Sequence, residues 1–234
     1  MSEFNNSHAL LIGIGADDIP FSANDARAIH DVLINPEIAG YPPENVTLLT
    51  KGNATKATIT KAFEDLSQKI DKESNVLLYY SGHGRRVAGK NTNFGKEDYF
   101  LEPFGMDMAN YDTEGILAKD LKAMINALAA EQLVFFFDCC HAQGLTKGDD
   151  LLGTTDKIDT LLADEKIKQA DTEQMVQAID DEEGMAIISS CKDHEKSLCW
   201  EGEDISLALR QKMQTLPMEH LEFVFGDFVF PRIL

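Results

Sequence analysis

Two uninterrupted apolar runs constrain this chain more than any other feature. Leu133-Val134-Phe135-Phe136-Phe137 shows no polar alternation to mark a solvent face, and Asn75-Val76-Leu77-Leu78-Tyr79-Tyr80 is a matching strand-like run. A strand of that kind must be covered on both sides, as strands are inside a parallel sheet layered between helices. Each run ends on reactive side chains, Ser81-Gly82-His83-Gly84 in one case and Asp138-Cys139-Cys140-His141-Ala142 in the other. Open α/β sheets gather their sites at the carboxyl ends of strands. A thiol and an imidazole 57 residues apart in the chain are therefore expected side by side at one edge of the sheet.

The rest of the first 140 residues alternates strand and helix signals, which argues for βαβ units. His8 to Gly15 reads as the first strand. Its Gly13-Ile14-Gly15 lacks the third glycine of a dinucleotide loop, because position 18 is Asp18. Pro20-Phe21-Ser22 reads as loop, and Ala23 to Leu33 as a helix with Asp25 in its first turn. Val46 to Leu49 is a short strand, and Lys56 to Ile70 a helix with Thr55 as N-cap. Arg85 to Glu97 reads as a hairpin or rim loop, and Asp98 to Pro103 as a small edge strand stopped by its proline. Leu117 to Leu128 is a helix with Leu121, Met124, Ile125 and Leu128 on one face.

From Thr146 to Gly184 the chain changes character, with twelve acids against four lysines and no aromatic residue. That composition suits an exposed connector, partly helical or mobile, rather than core. Met185 to Ser190 reads as a further strand, and Leu221–Phe225 and Asp227–Phe230 as strand-like runs. The organisation expected is one domain in three parts: 1–145, a connector over 146–184, and a short part over 185–234.

Charge narrows the partners. A net charge of −19 disfavours polyanions such as nucleic acid and anionic membrane surfaces, and favours basic peptides. No run approaches the ~18 apolar residues of a membrane span, and no secretory leader is evident, so a cytoplasmic location and free thiols are expected. The four cysteines (Cys139, Cys140, Cys191 and Cys199) contain no C-x-x-C pair that would suggest zinc.

A cysteine attacks carbonyls as its thiolate, and an imidazole within reach both promotes that ionisation and protonates a leaving amine. Glycine beside the imidazole leaves room for substrate backbone. The ordinary alternative is a loop histidine and packing cysteines. Taken together, the Tyr80-Ser81-Gly82-His83-Gly84 and Asp138-Cys139-Cys140-His141-Ala142 motifs closely resemble those of the caspase-like cysteine peptidases of family C14. The nearest branch is the metacaspases and their prokaryotic counterparts, the orthocaspases.

The resemblance implies a caspase-hemoglobinase-like α/β sandwich with a mostly parallel six-stranded sheet, residues 1–145 forming the large-subunit part and 185–234 an abbreviated small-subunit part. It implies a cysteine endopeptidase with Cys140 as nucleophile, His83 as its partner, and the backbone N–H groups of Gly84 and Cys140 as oxyanion hole. His141 and Cys139 are adjacent to the nucleophile, so their side chains should diverge from it, and both read as structural. The resemblance also implies an acidic pocket of Asp25, Ser81 and Asp138, and hence cleavage after Arg or Lys. With no nearby arginine or lysine, two converging carboxylates would repel until a guanidinium or ammonium entered. A helix-end acid and a strand cap are the plainer explanations of Asp25 and Asp138. No cofactor is required and no metal ligand is assigned; calcium stays open, with Asp98 and Asp120 as the acids to watch. A catalytically inactive caspase-like scaffold or binding module is the alternative function.

Overall fold

The computed structural model describes residues 4–88, 97–130, 132–139, 167–169 and 185–189. Its centre is a parallel sheet of β1 (Ser7–Gly13), β2 (Val46–Thr50), β3 (Asn75–Gly82), β7 (Gln132–Cys139) and β9 (Met185–Ser189), in the order β2-β1-β3-β7-β9. Each neighbouring pair runs parallel. The two apolar runs thus form the adjacent strands β3 and β7, with Leu78 opposite Phe135 and Tyr80 opposite Phe137. Among the described residues the sheet has five strands rather than six. The Leu221–Phe225 and Asp227–Phe230 runs lie outside those residues.

Alternation along the strands divides the core into two layers. Leu10, Ile12, Leu78, Tyr80, Phe135 and Phe137 face helices α2 (Lys56–Lys69) and α4 (Ala118–Asn126). Leu11, Leu77, Tyr79, Val134 and Phe136 face α1 (Phe21–Ile34), which supplies Ala26, Ile29 and Leu33 at helical spacing. Burying one such large side chain is worth roughly 1.5–3 kcal/mol, so Leu78 or Phe137 truncated to Ala should cost several times the effect of any surface change. Thr55 caps α2 as expected, its hydroxyl accepting from the Thr58 N–H at 3.3 Å. Helix α1 stops at Asn35, which is extended because Pro36 follows it.

A second, antiparallel sheet stands beyond the strand ends. It contains β4 (Gly84–Ala88), β5 (Glu97–Leu101), β6 (Ile116–Leu117) and β8 (Ile167–Gln169), in the order β6-β5-β4-β8. A four-residue helix, α3 (Tyr111–Glu114), precedes β6. The expected hairpin is therefore β4 paired with β5, but β5 lies between β4 and β6 and is not an edge strand. Part of the acidic connector also takes part, since Ile167–Gln169 pairs with Arg85–Val87. Composition suggested an exposed connector, partly helical or mobile, and did not announce the three-residue strand. Backbone pairing with β4, which no local pattern announces, accounts for it.

Helix α1 also begins earlier than its sequence indicates. Phe21 and Ser22 belong to it, so Asp25 is past the first turn, and that turn holds no acidic residue. Asp25 is fully buried. A helix-end acid favoured by the macrodipole is accordingly the wrong description of it.

Candidate active site

Ser81 and Asp138 lie at the carboxyl edge of the parallel sheet, and His83 follows directly after β3. Gly82 pairs in register with Cys139, so the two strands end level, one step before His83 and one step before Cys140. Cys140, the expected nucleophile, lies outside the described residues, as do His141, Cys191 and Cys199. His83 sits between β3 and β4 and is only 3% exposed.

Three contacts hold His83. Its carbonyl accepts from the Glu102 N–H and from the Tyr80 hydroxyl, both at 3.1 Å. Its imidazole Nε2 lies 2.8 Å from Asp18 Oδ2. Glu102 is itself fixed by Arg85, whose Nε donates to its carboxylate at 2.9 Å. A single residue thus braces both the histidine's backbone and the buried guanidinium next to it. The sheet's own geometry tightens the site further. A Cβ at Gly82 would fall 2.5 Å from Ile14 and 2.6 Å from the Tyr80 hydroxyl, so only glycine lets that hydroxyl reach under the loop.

The three residues expected to form the acidic pocket share one face. Gly13, Ser81 and Asp138 are register partners on β1, β3 and β7. They follow Leu11, Tyr79 and Phe136 by two, so they lie on the side covered by α1. Helix α1 packs close over that row, since a Cβ at Gly13 would lie 2.3 Å from the Ser22 carbonyl and 2.8 Å from Ala26. Asp25 projects from the same part of α1. Asp25, Ser81 and Asp138 are all at most 4% exposed. Ser81 Oγ is buried without a hydrogen-bond partner among the described residues, in a spot where a polar side chain pays for desolvation unless something binds it.

A basic residue does stand at this edge, engaged with Glu102 and acting on Asp18. Arg85 is buried at this edge, directly after Gly84, and Arg86 follows it. Arg85 is engaged by Glu102, so its charge is largely matched. The hairpin or rim loop expected over Arg85 to Glu97 placed both arginines at the rim, but nothing in its local pattern indicated that Arg85 would be buried against Glu102.

Asp18 is the residue that sequence reasoning overlooked. It was noticed only as the position where a dinucleotide loop would need glycine. The available signal was its place: an acid just past the carboxyl end of β1, on the same edge as His83. Its hydrogen bond to His83 holds its carboxyl below the usual carboxylate range, against an opposing push from partial burial. The charge on Arg85 acts in the same direction as the hydrogen bond.

Among the described residues no group of three His, Cys, Asp or Glu side chains is placed to hold a metal. Asp120 is an exposed acid in the first turn of α4, a position favoured by the helix dipole.

A parallel sheet between helices, a small sheet beyond its carboxyl edge, and a braced histidine at that edge describe an α/β architecture suited to hydrolytic chemistry. The chain belongs to the caspase domain family, peptidase C14, whose family model matches residues 6–209. Metacaspase-4 of Arabidopsis thaliana is 27% identical over 150 residues, 58% of this chain and 34% of that protein. The match thus spans about a third of the relative's length. A crystal structure of a Geobacter sulfurreducens protein superposes with a TM-score of 0.56 at 17% identity, covering 89% of this chain and 81% of the other, a likeness of fold. The family is one of cysteine-type peptidases and includes the metacaspases. No helix among the described residues is long and apolar enough to cross a membrane.

Proposed function

We propose that this protein is a cysteine endopeptidase that cleaves polypeptides after Arg or Lys, with Cys140 as nucleophile and His83 as its acid–base partner. The observation that carries the reading is the level ending of β3 and β7, with Gly82 opposite Cys139 and the buried His83 immediately beyond. Cys140 follows Cys139 directly in the sequence, which supports pairing its thiol with that imidazole.

The chemistry runs in two halves. The Cys140 thiol gives its proton to the imidazole, and the thiolate adds to the carbonyl carbon before the scissile bond. Backbone N–H groups of Gly84 and Cys140 receive the charge developing on the carbonyl oxygen, where one lost donor costs on the order of 3 kcal/mol. The carbon–nitrogen bond breaks as the imidazolium returns the proton to the leaving amine. Water, deprotonated by the same imidazole, then hydrolyses the thioester and frees the thiol.

Specificity for a basic residue follows from Asp25 and Asp138. Two buried carboxylates on one face favour a guanidinium or ammonium, and a substrate aspartate would add like charge to a desolvated site. Ser81 adds an unsatisfied hydroxyl that a cationic side chain can use. Arg85 does not cancel this preference because Glu102 already binds it.

The test is a set of fluorogenic peptides identical except for Arg, Lys or Asp before the scissile bond, with Cys140→Ala as control. Cleavage after Arg and Lys, absent in the variant, is expected. Preference for Asp, or equal cleavage by the variant, overturns the assignment. Labelling by a peptidyl chloromethyl ketone should map to Cys140 and not to Cys139.

A further inference from the structure

The geometry points to Asp18 as a positioning residue for His83, fixing the ring so that Nδ1 is the nitrogen offered to the nucleophile and the leaving amine. This deepens the reading of the site proposed above and rests on His83 being its acid–base group.

The argument begins with hydrogen-bonding capacity. A neutral imidazole has one N–H and one basic nitrogen, and a carboxylate can only accept. With Oδ2 of Asp18 at 2.8 Å from Nε2, the proton of the neutral ring belongs on Nε2 and the lone pair on Nδ1. Nδ1 therefore takes the thiol proton, and the imidazolium formed keeps Nε2–H on Asp18 while Nδ1–H is handed to the amine. No step needs Asp18 to accept the proton. It holds the tautomer and stabilises the cation, the part an aspartate plays behind the histidine of serine peptidases.

The loop carrying Asp18 is built to keep that carboxylate in place. Gly15 turns the chain with a φ of +60°, and its N–H donates to Ser22 Oγ at 2.7 Å. The Ser22 hydroxyl donates onward to the Ile19 carbonyl at 2.9 Å, and the Ile19 N–H closes a turn on the Ala16 carbonyl at 3.0 Å. Ile19, beside Asp18, is buried and anchors the turn. Asp18 itself is half exposed while the imidazole is buried, so the carboxylate reaches inward from the rim. The buried serine and the left-handed glycine thus brace the turn from which Asp18 reaches His83.

The charged groups facing the pair are Arg85, whose charge helps keep Asp18 ionised, and Glu102, which binds Arg85. Asp17 lies next to it in the turn and is exposed.

Asp18→Asn, Asp18→Glu and Asp18→Ala in the full chain test the assignment against wild type. For Asp18→Asn, kcat on an Arg-peptide should fall roughly 10- to 100-fold, less than the full worth of an acid–base group because the carboxylate is half exposed and screened. KM should hold, and the bell-shaped pH profile of kcat/KM should narrow, its basic limb moving to lower pH as the thiolate–imidazolium pair loses its counter-charge. Asp18→Glu should recover part of the loss, and thermal midpoints should stay close to wild type. Nitrogen-15 spectra of the His83 ring, recorded above the basic limb where the ring is neutral, supply a readout independent of turnover: Nε2–H in wild type, mixed tautomers in Asp18→Asn and Asp18→Ala. An unchanged pH profile together with an unchanged tautomer overturns the proposal. So does an equal loss in all three variants that tracks a fall in melting temperature. If wild type cleaves no peptide, the peptidase reading fails on its own, and the ring spectra alone then decide whether Asp18 sets the tautomer.

Discussion

His8 and His83 are buried to nearly the same degree, 5% and 3% exposed, at opposite edges of one sheet. His8 opens β1 at the amino edge and packs on the α2 side; its Nδ1 has no hydrogen-bond partner among the described residues. Burial, reinforced by the Lys69 charge and opposed by Asp71, lowers its pKa below the ordinary 6.5. His83 lies past the carboxyl end of β3 and meets a carboxylate. Burial alone makes a histidine a neutral packing residue. Burial with an oriented acid makes one that can hold and return a proton. The difference comes from the edge: at the carboxyl ends, loops leave the sheet and bring polar side chains from distant parts of the chain together.

The strongest way to break this comparison is to exchange the fates of the two histidines. His83→Ala should lower kcat on an Arg-peptide by about 10²- to 10⁴-fold, the usual worth of an acid–base group. His8→Gln should leave kcat unchanged. Steady-state kinetics on both variants, with folding checked by circular dichroism, decide it; equal losses would mean that neither histidine is special.

A second test asks whether the α1 face of the carboxyl edge selects charge. Asp25→Asn and Asp138→Asn should each weaken kcat/KM for Arg-peptides by about 30-fold, or 2 kcal/mol, the lower end for losing one partner of a buried charged contact. Cleavage after an uncharged residue should suffer less. Undiminished Arg cleavage in both variants removes the pocket.

The bracing of His83 can be loosened without touching a polar group. Gly82→Ala places a methyl 2.6 Å from the Tyr80 hydroxyl and 2.5 Å from Ile14, so the hydroxyl must leave the His83 carbonyl. Overpacking of that kind costs about 1–3 kcal/mol. Urea unfolding should show the loss, with a fall in kcat larger than that caused by Tyr80→Phe. A fully stable, fully active Gly82→Ala would mean that the close approach is unimportant.

The smallest effect belongs to the amino edge. His8 has a lowered folded pKa, so the unfolded chain binds more protons just below pH 6.5. Its contribution to stability is present above that value and is lost as pH falls through the folded pKa. Melting temperatures of wild type should therefore drop between about pH 7 and 5 more steeply than those of His8→Asn. Parallel curves for the two proteins would show that His8 does not titrate on unfolding.

What the chain's sequence determined by itself was the framework and most of the edge. Runs such as Leu133–Phe137 can be satisfied only between two layers, so the parallel sheet and its helices were legible from local pattern. The two-residue period of a strand then put Ser81 and Asp138 two steps before His83 and Cys140, and the sheet keeps Ser81 and Asp138 as register partners. Only the tertiary structure decided that Asp25 is a buried face residue rather than a helix-end acid, because α1 starts two residues earlier and packs over Gly13. It alone decided that β5 is interior to a second sheet, that Ile167–Gln169 joins that sheet, and that Arg85 is held by Glu102, whose N–H bonds the His83 carbonyl. And it alone brought Asp18 to His83, 65 residues away in the chain. Periodicity records which way a side chain faces along its own element; which distant loop comes to meet it is settled by closure of the whole sheet, and no local pattern carries that information.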